Sequence, residues 1–274
     1  MEDLEQDGSL KALRNELRQD YGIHFPERKF YQLKAKIRKR LRDLELETID
    51  QYRTYLEENP KEVSNFLDIV STNTTRFYRE PRHWDFYEDL LEGPWSDRSL
   101  KLWSAACSSG EEPYTLAMLT EDHRDGPHRG LTRSSNYKIL ATDLSDSALR
   151  TGMRGQYDEM AIENLQASRP TFVQRYFEPV AEDQYEVLES IKEQVTFRRF
   201  NLKTANYPYQ GVFDLILIRN VLIYFDQEMT EHVVNSLANC LITGGYLFVG
   251  HSESLSSISH PLEKVQPAIY QCSE

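Results

Sequence analysis

The stretch Leu100-Lys101-Leu102-Trp103-Ser104-Ala105-Ala106-Cys107-Ser108-Ser109-Gly110-Glu111-Glu112-Pro113-Tyr114 decides the fold. A short apolar run gives way to small residues, a glycine, two carboxylates and a proline suited to a first helical turn, so a strand here turns directly into a helix. Small side chains at such a turn let a ligand approach the backbone. The pattern is not G-x-G-x-x-G, and two carboxylates at a helix N-terminus repel a phosphate, so a cationic ligand fits this loop better. A tight turn carrying two solvated glutamates is the plainer alternative.

On either side of this strand, short apolar runs alternate with helical segments. Strands are expected over 100–106, 137–142, 195–200, 213–219, 246–250 and 268–272, with helices over 113–123, 146–152 and 227–241. Strands separated by helices of this length form crossover units and a mostly parallel sheet covered on both faces. A charged, weakly alternating stretch around Tyr185-Glu186-Val187-Leu188-Glu189 interrupts the rhythm and reads as a small insertion. The 137–142 strand runs into Asp143, which puts a carboxylate at the sheet's carboxyl edge, where wound folds hold a ribose diol. An N-cap for the following helix is the other reading of Asp143. Gly110 and Asp143, at the ends of consecutive strands, together favour a nucleoside with a cationic tail, and S-adenosylmethionine is the candidate.

The first 75 or so residues read as helices, over 10–20, 26–42, 49–57 and 61–70. Phe30, Leu33, Ile37 and Leu41 fall on one helical stripe, and Lys34, Arg38 and Arg42 form an i, i+4 row beside it. Eight basic residues and no acidic one lie between Arg28 and Arg42, in a chain whose net charge is −12. That acidic balance argues against a nucleic-acid partner. The basic helix is either a solvated face or a docking surface for an acidic partner.

With 274 residues, 39% hydrophobic and 28% charged, the chain has material for a large core and is neither a disordered tail nor a fibrous repeat. No run approaches a membrane span, and Met1-Glu2-Asp3-Leu4-Glu5 is not a signal peptide, so a cytoplasmic location without membrane insertion is expected. Cys107, Cys240 and Cys272 form no C-x-x-C pair, and the seven histidines form no H-E-x-x-H, so no metal is expected.

Four segments carry a resemblance: Ser71-Thr72-Asn73-Thr74-Thr75-Arg76-Phe77-Tyr78-Arg79-Glu80, Trp103 through Tyr114, Arg219-Asn220-Val221-Leu222-Ile223-Tyr224-Phe225, and Gly250-His251-Ser252-Glu253-Ser254. Together they resemble the chemotaxis receptor methyltransferases, the CheR family, over nearly the whole chain. The resemblance implies an α/β fold, a Rossmann-like S-adenosylmethionine-dependent methyltransferase sheet with a small antiparallel β insertion, preceded by an all-α N-terminal domain. The corresponding division is a helical domain over 1–75, a linker helix over 76–92 and a methyltransferase domain over 93–274, with the insertion at about 170–198.

The resemblance also implies an activity: glutamate side chains on the cytoplasmic helices of methyl-accepting chemotaxis receptors become methyl esters, and S-adenosylhomocysteine is released. By the same similarity Asn73, Thr75 and Arg79 reach the methionyl and sulfonium end of the cofactor. Glu112 sits near its amino group, and Asp143 holds the ribose hydroxyls. Asn201, Leu202, Asn220 and Val221 line the adenine and the floor, and Arg79 and Tyr224 face the transferred methyl. Taken without the family, Arg79 reads as a surface ion pair with Glu80 or another acid, and Tyr224 as a core aromatic. Family usage favours docking for the basic helix, through Lys34, Arg38 and Arg42. The segment between Phe177 and Val195 looks shorter than in members that bind a receptor tethering peptide, which implies independence from that tether. A monomer is expected. Two alternatives stay open: a methyltransferase for another protein or a small molecule, and a non-catalytic cofactor-binding adaptor.

Overall fold

The structure is a computed structural model that describes residues 2–25, 30–70, 74–125 and 136–273. Four helices come first: α1 (Glu2–Tyr21), α2 (Phe30–Asp43), α3 (Ile49–Glu58) and α4 (Pro60–Val70). α2 buries Leu33, Ile37 and Leu41, the stripe read from the sequence, in one cluster with Leu10, Leu13 and Leu17 of α1 and Tyr52 and Phe66 of the later helices. α3 begins with a capping box in which Thr48 and Gln51 satisfy each other's backbone N–H. One of the eight basic residues is structural: Arg40 pairs with buried Glu62 at 2.6 Å, and the Tyr52 hydroxyl donates to the same carboxylate at 2.9 Å.

After α5 (Pro81–Glu92) the chain alternates: β1 (Leu100–Ser104), α6 (Glu111–Asp125), β2 (Tyr137–Asp143) and α7 (Asp146–Arg154). Then come β3 (Gln156–Asp158), α8 (Glu159–Ser168), α9 (Pro170–Tyr176), β4 (Phe177–Ala181), β5 (Gln184–Val187), α10 (Glu189–Lys192) and β6 (Val195–Arg199). β7 (Phe213–Ile218), α11 (Gln227–Cys240), β8 (Leu241–Val249), β9 (Leu262–Gln266) and β10 (Ile269–Cys272) complete it. Seven strands form one sheet in the order β6-β2-β1-β7-β8-β10-β9. The strands from β6 to β8 are parallel, and β10 is antiparallel to both its neighbours. Apolar clusters cover both faces. β7 is buried at every position, and its one charge, Asp214, is met by Arg98 and by the Lys101 N–H at 2.8 Å. From central β1 the chain winds outward through β2 to β6, then returns to β7 on the other side. This reversal opens a crevice at the strands' carboxyl ends.

The structure departs from the expected strands in three places. The antiparallel sheet has the order β3-β5-β4 and recruits 156–158, before the stretch assigned to the insertion, while Val195–Arg199 belongs to the main sheet. The small sheet therefore lies within 156–187. β8 starts at Leu241, because Gly244 takes a positive φ and Gly245 passes so close that a Cβ would stand 3.0 Å from the Phe213 carbonyl oxygen. β9 was not expected: only Leu262 is buried and its other four residues are exposed, which leaves no alternation to read.

Candidate active site

β1, β2 and β7 end at one cavity, and Ala105, Ala106, Ser108, Glu112, Asp143, Asn220 and Tyr224 are among its lining residues. Thr75 and Arg79 close it from the segment before α5, and Phe200, Leu202 and Val221 give it an apolar side. The helical domain supplies a further wall through Tyr21, Ile23 and Val70. That wall is fastened by the His24 N–H donating to the Tyr224 carbonyl at 2.7 Å, by Asn201 Nδ2 donating to the Asp20 carbonyl at 2.9 Å, and by an Arg18–Asp226 ion pair at 2.7 Å.

Thr75, Arg79, Glu112, Asp143, Asn201, Leu202, Asn220, Val221 and Tyr224 thus all line the same cavity. Asn73 lies outside the described residues. The glycine of the decisive stretch has a different job from the one read for it. A Cβ on Gly110 would come within 2.9 Å of the Tyr157 hydroxyl and 3.0 Å of the Gly152 Cα, so Gly110 permits close packing behind the loop. Ala105, Ala106 and Ser108 provide the ligand-facing surface instead.

Neither glutamate of the turn is solvated. Glu111 is 6% exposed and accepts from the Ser109 hydroxyl. Glu112 accepts from Ser104 Oγ at 2.6 Å and from Arg219 Nη1 at 3.0 Å. Burial raises the Glu112 carboxyl above its ordinary range, against the opposite pull of Arg219 and Ser104. Asp143 is not an N-cap, since Ser145 caps α7 by accepting from the Ala148 N–H. It accepts instead from the Ser108 and Ser145 N–H groups, at 2.8 and 2.9 Å, and burial raises it as well.

Two residues absent from the sequence-based candidates organise the site. Arg219 has a side chain 1% exposed, bridges Glu112 to Glu80 at 3.0 and 3.1 Å, donates to the Arg79 carbonyl at 2.5 Å and lies over the Trp84 ring. Burial alone would raise Glu80, yet Arg219, and then His251, bring it below the ordinary range. Glu80 is thereby taken from Arg79, whose Nη1 donates to the Thr74 carbonyl and which makes no ion pair among the described residues. The signal for Arg219 was in the sequence: a guanidinium ending a fully buried strand requires buried acceptors. Tyr78, Glu80, Ser108 and Asn220 have φ of 54°, 60°, 48° and 60°, and such a concentration of left-handed non-glycine residues is typical of functional sites.

The donor set suits a cationic nucleoside. Two carboxylates face a cavity with an apolar side, no phosphate-cradling glycine loop is present, and the buried Asn220 Oδ1 has no hydrogen-bond partner among the described residues. Fold and site together define an S-adenosylmethionine-dependent methyltransferase. Residues 73–270 match the family model described as the CheR methyltransferase, SAM binding domain, and residues 9–71 match the CheR methyltransferase, all-alpha domain. The chain is 32% identical over 262 residues to the chemotaxis protein methyltransferase of Borreliella burgdorferi, covering 92% of this chain and 89% of that one. It is 31% identical over 266 residues to chemotaxis protein methyltransferase 2 of Pseudomonas aeruginosa, covering 95% and 91%. With that of Vibrio parahaemolyticus it shares 38% identity over 203 residues, covering 73% of this chain and 71% of its relative. The chain belongs to the CheR methyltransferase family and is an enzyme that uses S-adenosylmethionine in chemotaxis.

Proposed function

We propose that the protein forms methyl esters on glutamate side chains of the cytoplasmic helices of chemoreceptors. The observation that carries this reading is the contrast between two neighbours: Glu80 is bound to Arg219, while Arg79 lines the cavity without an ion pair among the described residues. A planar guanidinium at the cavity wall suits an incoming carboxylate. Asp143 would hold the ribose, Glu112 the amino group, and Thr75 the methionyl end. Asn73 is assigned with Thr75 by similarity alone. Asn201, Leu202, Asn220 and Val221 would line the adenine and the floor.

When bound, S-adenosylmethionine supplies an electrophilic methyl group on a sulfonium and leaves as S-adenosylhomocysteine. The substrate carboxylate is ionised at neutral pH, so no residue has to remove a proton. The methyl group that the cofactor would supply would pass to a carboxylate oxygen, the electron pair of the broken S–C bond staying with sulfur. The chain's residues therefore position and desolvate: Arg79 orients the carboxylate, Tyr224 borders its path, and the wall from the helical domain excludes water.

The basic face of α2 would steer receptors, through Lys34, Arg38 and Arg42. Action as a monomer is part of the same proposal. A receptor-directed enzyme would work in the cytoplasm, and no described helix is long and apolar enough to cross a membrane. The division into a helical domain over 1–75, a linker over 76–92 and a catalytic domain over 93–274 follows the change from bundle to wound sheet. The short β4–β5 hairpin, turning at Asp183 with a φ of 56°, supports independence from a receptor tethering peptide.

Incubation with methyl-labelled S-adenosylmethionine and receptor-containing membranes tests the reading. Base-labile label on receptor glutamates is expected. Base-stable label, or cofactor binding without transfer, would favour another substrate class or the adaptor.

A further inference from the structure

Behind the cavity, the segment that starts α5 meets the loop after β8. Glu80, His83 and His251 each place one potential ligand atom within 4.8 Å of the others. Glu80 Oε2 is at the centre, 3.4 Å from His83 Nδ1 and 4.0 Å from His251 Nε2. No sequence motif joins them, because two come from the start of one helix and the third from a loop 168 residues beyond His83.

A second observation marks the cluster as more than a chance grouping. His83 is 1% exposed, and neither of its ring nitrogens has a hydrogen-bond partner among the described residues. A buried imidazole left so costs stability unless something occupies the space it faces. Its ring stacks on Phe248 with centroids 5.3 Å apart and meets the His251 ring edge-on at 4.6 Å, so packing fixes where Nδ1 points. The surrounding charge is mixed: the Glu80 carboxylate draws a cation, while Arg219, already paired with Glu80 and Glu112, opposes one. Arg219 stands between Glu80 and Glu112, while Glu253 accepts from the N–H groups of Gly250 and Asn220 beside His251.

We propose that Glu80, His83 and His251 form a zinc-binding site, open to solvent on the His251 side. Two imidazoles and a carboxylate are a ligand set that zinc accepts at roughly 2.0–2.2 Å, which places neighbouring ligand atoms about 3.3 Å apart in a tetrahedron. The Glu80–His83 separation of 3.4 Å already meets this, and the half-exposed His251 side chain has room to close its own gap. Water completes the coordination. Glu80 Oε2 is also the acceptor of Arg219 Nη2, so a metal there takes one bond from the residue that holds Glu112. Zinc binding and cofactor binding then change each other's affinity by the same factor.

Tag-free protein is titrated calorimetrically with zinc, and cobalt is used in parallel for its visible ligand-field bands. The expected result is one saturable site with tetrahedral cobalt bands, weakened about tenfold or more in His251→Ala. His251→Ala is the test variant because its side chain is 41% exposed and its loss leaves the core packed, whereas changing His83 endangers folding. Equal zinc affinity in the two proteins, or none in the parent, overturns the site. S-adenosylhomocysteine affinity that differs with saturating zinc in the parent, and not in His251→Ala, supports the link through Arg219. Affinity unchanged by zinc in the parent overturns that link. Both metal readouts are independent of methyl transfer, so a failure of the site is distinguishable from a failure of the proposed reaction.

Discussion

Arg219 Nη1 lies 3.0 Å from Glu112 Oε2, so the carboxylate assigned to the cofactor's amino group already shares a buried guanidinium with Glu80. Replacing Arg219 by methionine keeps much of the volume against Trp84 but strands two buried carboxylates. Breaking a buried pair from one side typically costs about 3–5 kcal/mol. Arg219→Met is therefore expected to lower the unfolding free energy by roughly 3 kcal/mol in urea and to weaken cofactor binding. A variant with parental stability would mean that water relieves the two acids.

Asp143 holds the loop after β1 through the Ser108 N–H and the start of α7 through the Ser145 N–H, while facing the cavity. Asp143→Asn keeps an acceptor for a backbone donor and removes the charge. Hydrogen bonds to a charged group are worth about 1.5–3 kcal/mol, so S-adenosylhomocysteine affinity should fall by roughly tenfold to a hundredfold. Calorimetry reads the affinity and a thermal melt checks the fold. Unchanged affinity removes Asp143 from the ribose role.

The succession of strands along the chain and the place of Asp143 at a strand end were legible because both follow from local pattern: apolar runs, small residues at a turn, a carboxylate closing a strand. β9 and β3 were not, since one is a mostly exposed edge strand and the other is three residues long. α8 and α9 were missed where a charged, weakly patterned stretch hides Ile162, Leu165, Phe172 and Tyr176, which only packing on the main core selects. The bridge from Glu112 through Arg219 to Glu80 was illegible for another reason. Its members lie 107 and 139 residues apart, and no local rule says which acid a buried arginine will meet. Likewise, Tyr21 and Ile23 reach the cavity only because the bundle docks on Tyr224 and Asp226.

Acid should separate binding from folding of the bundle. Burial raises Glu112 and Asp143, so as pH falls they take up protons above the ordinary carboxylate range and their charge is lost. Cofactor affinity should then decline in that window. The raised values also mean that the stability these two groups contribute is complete below their unfolded pKa and is lost as pH rises through the folded one. Glu62 behaves oppositely. Burial would raise it, but Arg40, Asn65 and Tyr52 bring it below its ordinary value, so its contribution is present above the unfolded pKa and is lost only as pH falls through the lower folded one. Calorimetric affinity for S-adenosylhomocysteine should fall at a higher pH than the helical circular dichroism signal. Coincident loss would contradict the assignment of Glu112 and Asp143 to binding.

The basic helix should divide into two kinds of arginine. Arg40 is partly buried on Glu62, so Arg40→Ala removes one side of a pair that also holds Tyr52 and Asn65, and should destabilise the bundle by about 3 kcal/mol or more. Arg38 and Arg42 are exposed and Lys34 is half-buried, all on the face beside the apolar stripe. Lys34→Glu, Arg38→Glu and Arg42→Glu combined should leave cofactor affinity intact and lower kcat/KM for receptor by slowing encounter. The same experiment carries its own control in salt. Raising ionic strength screens exposed charges beyond about 8–10 Å, so the parent enzyme should slow toward the triple variant, which should itself respond little. If the parent's receptor methylation is insensitive to salt and matches the variant's throughout, Lys34, Arg38 and Arg42 have no part in docking, and the positive face of α2 only keeps the helix solvated.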